Sequence, residues 1–177
     1  MQPIRVLGLG NVLMGDDGFG PYVVEHLLAT HDFPPGVDLV DVGTPGLDLT
    51  PFLADAEAVI VVDTVKSNGE PGELRRYRKE QILARPPEPR LSPHDPGLKD
   101  TLFTLTLAGT VPREVYLVGA IPGDVSMGSK LSPALLAAVP RAADEVVAEL
   151  RRLGIEVQRR PGSQEVKPWW TADPTDC

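Results

Sequence analysis

The sequence predicts an α/β sandwich built on a twisted, mostly parallel sheet of five strands. Short apolar runs alternate along the chain with longer segments whose apolar residues recur at helical spacing. Such alternation is typical of parallel strands joined by crossover helices. The run Ala58–Val62 contains no polar residue, which favours a strand that is covered on both faces.

The first three elements are a strand, a helix and a second strand. Ile4–Leu9 is apolar apart from Arg5, which predicts a buried strand. Residues 18–29 place apolar side chains at helical spacing, and Pro21 suits the first turn of a helix. Val37–Val42 is the next largely apolar run and predicts the second strand.

The middle of the chain continues this pattern with two helices and three strands. A short helix is expected near Leu47–Ala54, and Ala58–Val62 predicts the third strand. Gly72–Tyr77 is more polar, so we expect a strand that is antiparallel or at an edge of the sheet. Leu98–Leu107 predicts a helix, and Glu114–Ala120 predicts the fifth strand.

The last predicted helix begins at Ser132-Pro133 and ends near Leu153. Serine is a favoured N-cap residue, and proline is favoured at the first helical position. Residues 1–159 are therefore predicted to form a single α/β domain, followed by a mobile tail over residues 160–177. The adjacent Trp169 and Trp170 in this tail suggest docking onto the domain or onto a partner, although the polar surroundings favour disorder.

Composition excludes several classes of function. The net charge of −8 argues against nucleic acid as a partner, because phosphate binding needs a basic face. No apolar run is long enough to cross a membrane. The N-terminus leads directly into a strand, so we expect no signal peptide and a cytoplasmic protein. A lone cysteine, Cys177, cannot form an internal disulfide or a thiolate metal site.

The glycine-rich turn after the first strand suggests a nucleotide site only at first sight. The dinucleotide fingerprint needs a third glycine three residues after the second. The chain has Gly8 and Gly10, but Leu13 stands at the third position. Asp16 and Asp17 in the same turn would also repel a phosphate. We therefore keep a nucleotide-binding protein only as a minor alternative.

Two carboxylates and one histidine are expected near the same edge of the sheet. Asp17 follows the first strand, Asp63 ends the third, and His94 lies in a proline-rich loop that could fold over this edge. Oxygen and nitrogen ligands of this kind suit a borderline divalent ion such as zinc or nickel. The alternative is that one aspartate of the first turn only caps a helix.

Several blocks, in order over about residues 4–155, resemble the nickel–iron hydrogenase maturation endopeptidases. In these proteases a glycine-rich turn with adjacent acids opens the chain, and an apolar strand ending in Asp and a His-x-x-Gly-Leu loop follow. The matching blocks are Gly8-Leu-Gly-Asn11, Asp16-Asp17, Gly18-Phe-Gly20, Asp41-Val-Gly-Thr44, Val61-Val-Asp63, Ser92-Pro-His-Asp-Pro-Gly-Leu98 and Val118-Gly-Ala-Ile-Pro122.

The resemblance implies a metal site and a three-layer sandwich with helices on both faces. By position the family's metal-binding and catalytic residues fall on Asp17, Asp63 and His94. The family often has Glu where this chain has Asp17, so Asp16 is a possible substitute. The metal is expected to be nickel carried by the substrate, and zinc or cadmium would also suit the site.

The function that the resemblance implies is endoproteolysis. The enzyme would remove the C-terminal extension of a hydrogenase large-subunit precursor after nickel insertion, acting as a monomer. Gly43 and Thr44 are expected to shape the groove for the extended C-terminal segment. Cleavage by a carboxylate-activated water and cleavage assisted by a metal both stay open. A non-catalytic chaperone that checks for nickel is the alternative function.

Overall fold

The computed structural model describes residues 2–44, 49–84, 97–162, 166 and 168–171. Short 3₁₀ helices lie at Gly15–Gly18 and Trp169–Thr171. The strands and α-helices follow in chain order: β1 (Ile4–Leu9), α1 (Phe19–Thr30), β2 (His31–Asp32), β3 (Val37–Gly43), α2 (Thr50–Leu53), β4 (Ala58–Thr64), β5 (Leu74–Arg78), α3 (Lys79–Ala84), α4 (Leu98–Ala108), β6 (Glu114–Ala120), α5 (Pro133–Arg152) and β7 (Gln158–Arg159).

The main sheet has five strands in the order β3-β1-β4-β6-β5. The first four are parallel, and β5 pairs antiparallel with β6 at the edge. Val6 at the centre of β1 pairs with Leu39 on one side and Ile60 on the other. The predicted mostly parallel sheet and its polar, antiparallel edge strand are therefore confirmed.

Helices cover both faces of this sheet, as predicted for a three-layer sandwich. Alternate strand residues point to opposite faces, so each strand contributes to two cores. One core packs α1 and α5 on the sheet, and it includes Val6, Phe19, Val23, Leu27, Ile60, Val118, Leu135 and Val146. The other packs α2, α3 and α4 on the opposite face, and it includes Leu7, Leu53, Val61, Ile82, Leu102 and Val115.

The structure corrects the predicted elements in a few places. β4 continues to Thr64, so Asp63 lies inside the strand and not at its end. The polar strand begins at Leu74, two residues later than expected from Gly72. The short helix predicted at Leu47–Ala54 is Thr50–Leu53 within the described residues. The six-residue helix α3 and the small sheet of β2 and β7 were not predicted.

The C-terminal segment contacts the body of the protein. β7 pairs antiparallel with β2, and Arg160 forms an ion pair with Asp32. Trp170, for which the sequence favoured disorder, packs edge-on against Tyr22 with ring centroids 5.3 Å apart. Docking onto the domain was the other alternative for this residue. The division at residue 159 and the mobility of the tail stay predictions.

Among the described residues, none of the helices combines the length and the apolar composition that crossing a membrane requires.

Candidate functional site

The candidate site lies where the strand order of the sheet reverses direction. Within the main sheet, the strand that comes next in the chain after β1 is β3, and it lies on one side of β1. The chain then crosses to β4 on the other side of β1 and continues outward to β6. In open α/β sheets the crevice beyond the carboxyl ends of the strands at such a switch point is the usual binding site. The crevice here is the one between the ends of β1 and β4.

Two glycines allow α1 to begin directly against these strand ends. A Cβ atom on Gly20 would lie 2.3 Å from the carbonyl oxygen of Leu9 and 2.4 Å from that of Val62. A Cβ atom on Gly8 would lie 2.6 Å from the carbonyl oxygen of Gly20. Only glycine permits such close backbone contact. The glycine spacing seen in the sequence therefore fixes the start of α1, and with it the preceding aspartates.

The Asp17 carboxylate joins the first turn to the end of β4. Its Oδ2 accepts a hydrogen bond from the backbone N–H of Asn11 at 2.9 Å. Its Oδ1 accepts one from the hydroxyl of Thr64 at 3.3 Å. The side chain is half-buried, so it is held by the protein while part of it faces solvent. Asp17 is thereby placed beside the Asp63-Thr64 pair.

Asp63 is only 5% exposed. Its Oδ1 accepts a hydrogen bond from the backbone N–H of Thr64 at 2.8 Å. Because strand residues alternate in direction, Asp63 points to the same face as Val59 and Val61, which is the face covered by α4. The predicted ligand His94 precedes the start of α4 in sequence, but it lies outside the described residues.

Asp16 has entirely different surroundings from its neighbour. Its side chain is fully buried. Oδ2 accepts hydrogen bonds from the backbone N–H groups of Gly123 and Asp124, at 2.8 and 2.9 Å, and from the Ser132 hydroxyl at 2.9 Å. Oδ1 accepts one from the Ser132 N–H at 2.7 Å. The carboxylate thus connects the first turn to the segment between β6 and α5.

Gly43 and Thr44 lie at the end of β3, beside the end of β1. The carbonyl oxygen of Gly43 accepts a hydrogen bond from Gly10 N–H at 2.9 Å. The N–H of Gly43 donates to Asp41 Oδ1, also at 2.9 Å. Gly43 has a φ of +60°, and a Cβ atom there would meet nothing within 4 Å. This strand end is therefore open, and Thr44 is exposed on it.

The basic cluster on β5 and the start of α3 is satisfied locally. Arg75, Arg76 and Arg78 form ion pairs with acidic residues of the same chain. The Lys79 ammonium donates to the carbonyl oxygens of Pro112 and Arg113 at 3.0 and 2.7 Å. This agrees with a solvated structural face and does not favour a docking patch.

The site thus brings together two of the three residues that the sequence singled out. Asp17 and the Asp63-Thr64 pair meet at the switch point, and no group of three His, Cys, Asp or Glu side chains suited to a metal occurs within the described ranges. Asn11 and Thr64 position Asp17, and sequence reasoning assigned neither a role. Asn11 stands within the Gly8–Asn11 block, whereas Thr64 carries no signal of its own.

The chain is similar to known proteins in both sequence and fold. A model of the hydrogenase maturation protease family matches residues 21–149. The hydrogenase expression/formation protein HupD of Rhodobacter capsulatus is 41% identical over 159 residues, which covers 89% of this chain and 76% of that protein. The hydrogenase 2 maturation protease of Escherichia coli is 34% identical over 154 residues, with 86% and 93% covered.

A solved structure shows the same likeness in three dimensions. The hydrogenase maturating endopeptidase HybD from Escherichia coli superposes with a TM-score of 0.81 at 33% sequence identity. The superposition covers 89% of this chain and 98% of that one. The similarity therefore includes the sheet and both helical layers.

Proposed function

Because this chain belongs to the hydrogenase maturation protease family, we propose that it removes the C-terminal extension of a nickel–iron hydrogenase large-subunit precursor after nickel insertion. The observation that carries the proposal is the contact of Asp17 with Thr64, beside Asp63, at the switch point of the sheet. At this crevice the half-buried Asp17 lies beside the nearly buried Asp63, and the exposed part of Asp17 faces solvent.

The substrate's nickel would be contacted by Asp17, Asp63 and His94. Two carboxylates and an imidazole are a donor set that a borderline divalent ion accepts, and zinc or cadmium would be held by the same atoms. Asp17 suits this role better than Asp16. The Asp16 carboxylate is fully buried and accepts four hydrogen bonds inside the protein, whereas the Asp17 carboxylate is half-buried at the crevice and accepts two.

Two routes to hydrolysis are compatible with these residues. In one, Asp17 or Asp63 acts as the base that takes a proton from the attacking water. In the other, the substrate's metal polarises the scissile carbonyl, and the carboxylates hold the metal beside it. In both, the Asn11 N–H and the Thr64 hydroxyl orient the Asp17 carboxylate.

The precursor's extended C-terminal segment would lie along the open strand end at Gly43 and Thr44. Gly43 leaves space on its outer side, and Thr44 supplies an exposed hydroxyl and backbone. An extended peptide at this position would lead towards the ends of β1 and β4. We further propose that the protein acts in the cytoplasm and as a monomer. The monomeric state would leave the carboxyl ends of the strands accessible to a large folded substrate.

The test is a processing assay with nickel-loaded and nickel-free precursor, with products weighed by intact mass spectrometry. We expect the loaded form alone to lose its C-terminal peptide. His94→Ala and Asp17→Asn should lose processing while keeping their far-UV circular dichroism. His26→Ala and Asp38→Asn are matched controls away from the crevice. Binding of the precursor without cleavage by the wild type would instead indicate the non-catalytic chaperone.

A further inference from the structure

Two large apolar side chains are exposed at the same edge of the sheet as the candidate site. Leu13 is 59% exposed and Met127 is 88% exposed. Leu13 belongs to the turn that carries Asp17, and Met127 belongs to the segment between β6 and α5. Exposed apolar residues next to a functional site often mark a surface that binds a partner.

Backbone pairing joins the two segments that carry these residues. Met14 and Gly128 form a parallel bridge. Gly128 N–H donates to the Leu13 carbonyl oxygen at 2.9 Å, and Gly15 N–H donates to the Gly128 carbonyl oxygen at 2.8 Å. Leu13 and Met127 each precede a bridged residue, so they are in register.

The backbone of both segments is held in place relative to Asp17. Asn11 Oδ1 accepts the Leu13 N–H at 2.9 Å, and Asn11 N–H donates to Asp17 Oδ2 at 2.9 Å. The four hydrogen bonds accepted by the buried Asp16 carboxylate join the turn to the segment that bears Met127. A surface ordered in advance loses little conformational entropy when a ligand binds.

The spacing limits which part of a substrate could reach this surface. Leu13 and Asp17 are four residues apart, so their Cα atoms are separated by at most about 14 Å. A peptide in extended conformation covers that distance in about four residues. Any group that contacts Leu13 while the scissile bond lies at Asp17 must therefore be close to that bond in sequence.

We propose that Leu13 and Met127 form an apolar docking surface for precursor side chains within about four residues of the scissile bond. The inference rests on the proposed endopeptidase function. Leucine offers a fixed apolar shape, and methionine adapts to side chains of different outline. The surface therefore favours apolar residues near the cleavage point and adds to the affinity without taking part in bond cleavage.

The test measures KM and kcat for processing of the nickel-loaded precursor by Leu13→Asn and Met127→Asn. We expect each substitution to raise KM about tenfold, since each removes most of a buried apolar side chain from the complex, and to leave kcat unchanged. Leu107→Asn is the matched control. Leu107 is 75% exposed near the C-terminal end of α4, away from the carboxyl ends of the strands. The KM of the Leu107→Asn variant should equal that of the wild type.

A precursor with its apolar residues near the scissile bond replaced by serine completes a double-mutant cycle. With the wild-type enzyme its KM should rise, and with Leu13→Asn it should rise no further. An unchanged KM for both enzyme variants, or a fall in kcat alone, would overturn the docking surface. Absence of cleavage by the wild type would count against the proposed function itself. In that case the dissociation constant of the precursor is measured for the same enzyme variants. A weaker complex with Leu13→Asn and Met127→Asn, but not with Leu107→Asn, would support the docking surface, and equal dissociation constants would overturn it.

Discussion

Replacing Asp16 with asparagine should destabilise the protein far more than the same change at Asp17. The Asp16 carboxylate is fully buried and accepts four hydrogen bonds. The Asp17 carboxylate is half-buried and accepts two, of which the one from Thr64 is long at 3.3 Å. Substitution by the isosteric, neutral asparagine side chain therefore removes more hydrogen-bond energy at Asp16 than at Asp17.

The magnitude follows from the donors around Asp16. An asparagine amide must direct its NH₂ group at one set of donors, and the least costly choice faces the single Ser132 N–H. That leaves one buried N–H unsatisfied, at about 1–3 kcal/mol. The other three hydrogen bonds lose a charged acceptor, at roughly 1 kcal/mol each. The sum is roughly 4–6 kcal/mol for Asp16→Asn, against about 1 kcal/mol for Asp17→Asn.

Urea denaturation followed by far-UV circular dichroism measures this difference. With a slope of about 2 kcal/mol per molar, Asp16→Asn should lower the midpoint by about 2–3 M, and Asp17→Asn by about 0.5 M. Asp38→Asn, an exposed change on β3, is the control and should leave the midpoint in place. Two results would contradict the proposed difference: an unfolding free energy of Asp16→Asn within about 1 kcal/mol of the wild-type value, or an unfolding free energy of Asp17→Asn lower than that of Asp16→Asn.

Three further predictions concern the rest of the fold. Gly20→Ala should lower the unfolding free energy by about 3 kcal/mol, because its Cβ would lie 2.3 Å from a backbone oxygen, whereas Gly128→Ala meets nothing and should be neutral in the same melt. Burial alone would raise the pKa of Glu149, but hydrogen bonds from Arg78 and Arg152 outweigh it and lower that pKa. The stability that Glu149 contributes is then present above its ordinary pKa and lost as pH falls through its folded pKa. Glu149→Gln should therefore cost about 2 kcal/mol at pH 7 and progressively less in acid, and a constant difference across pH titrations would contradict this. Trp170→Ala should lower the unfolding free energy by about 1 kcal/mol through loss of its contact with Tyr22, and an unchanged urea midpoint would mean that this contact is absent in solution.

The sheet and the main helices were predictable because each has its own periodicity. The apolar strands, the N-cap at Ser132 and the polar edge strand all appear where local sequence indicates them. The helix α3 is six residues long, with its polar residues first and its apolar residues last, so it is too short to show a helical periodicity. β2 and β7 contain two residues each, too few for any strand pattern.

The sequence predicted that Asp17 and Asp63 lie near one edge of the sheet, but not how the surroundings of Asp16 and Asp17 differ. Sequence alone does not separate Asp16 from Asp17, because the donors that surround Asp16 are 107 to 116 residues further along the chain. Only folding brings residues 123–132 to the first turn. The contact between Asp17 and Thr64 likewise spans 47 residues. The glycine spacing predicted a turn. That these glycines are required by the close contact between α1 and the strand ends is visible only in the structure.

The close contact of Gly20 with the ends of β1 and β4 has a consequence for local unfolding. The backbone at Asp17 leads directly into α1, so a large displacement of this turn would separate the start of α1 from the strand ends and open one of the two cores. Amide hydrogens in such a region exchange with solvent only through openings whose free energy approaches that of global unfolding. The Gly10 N–H, bonded to Gly43, should therefore be among the slowest to exchange. If Asp17 acts as proposed, the conformational adjustment on binding must then come from the substrate and not from this carboxylate.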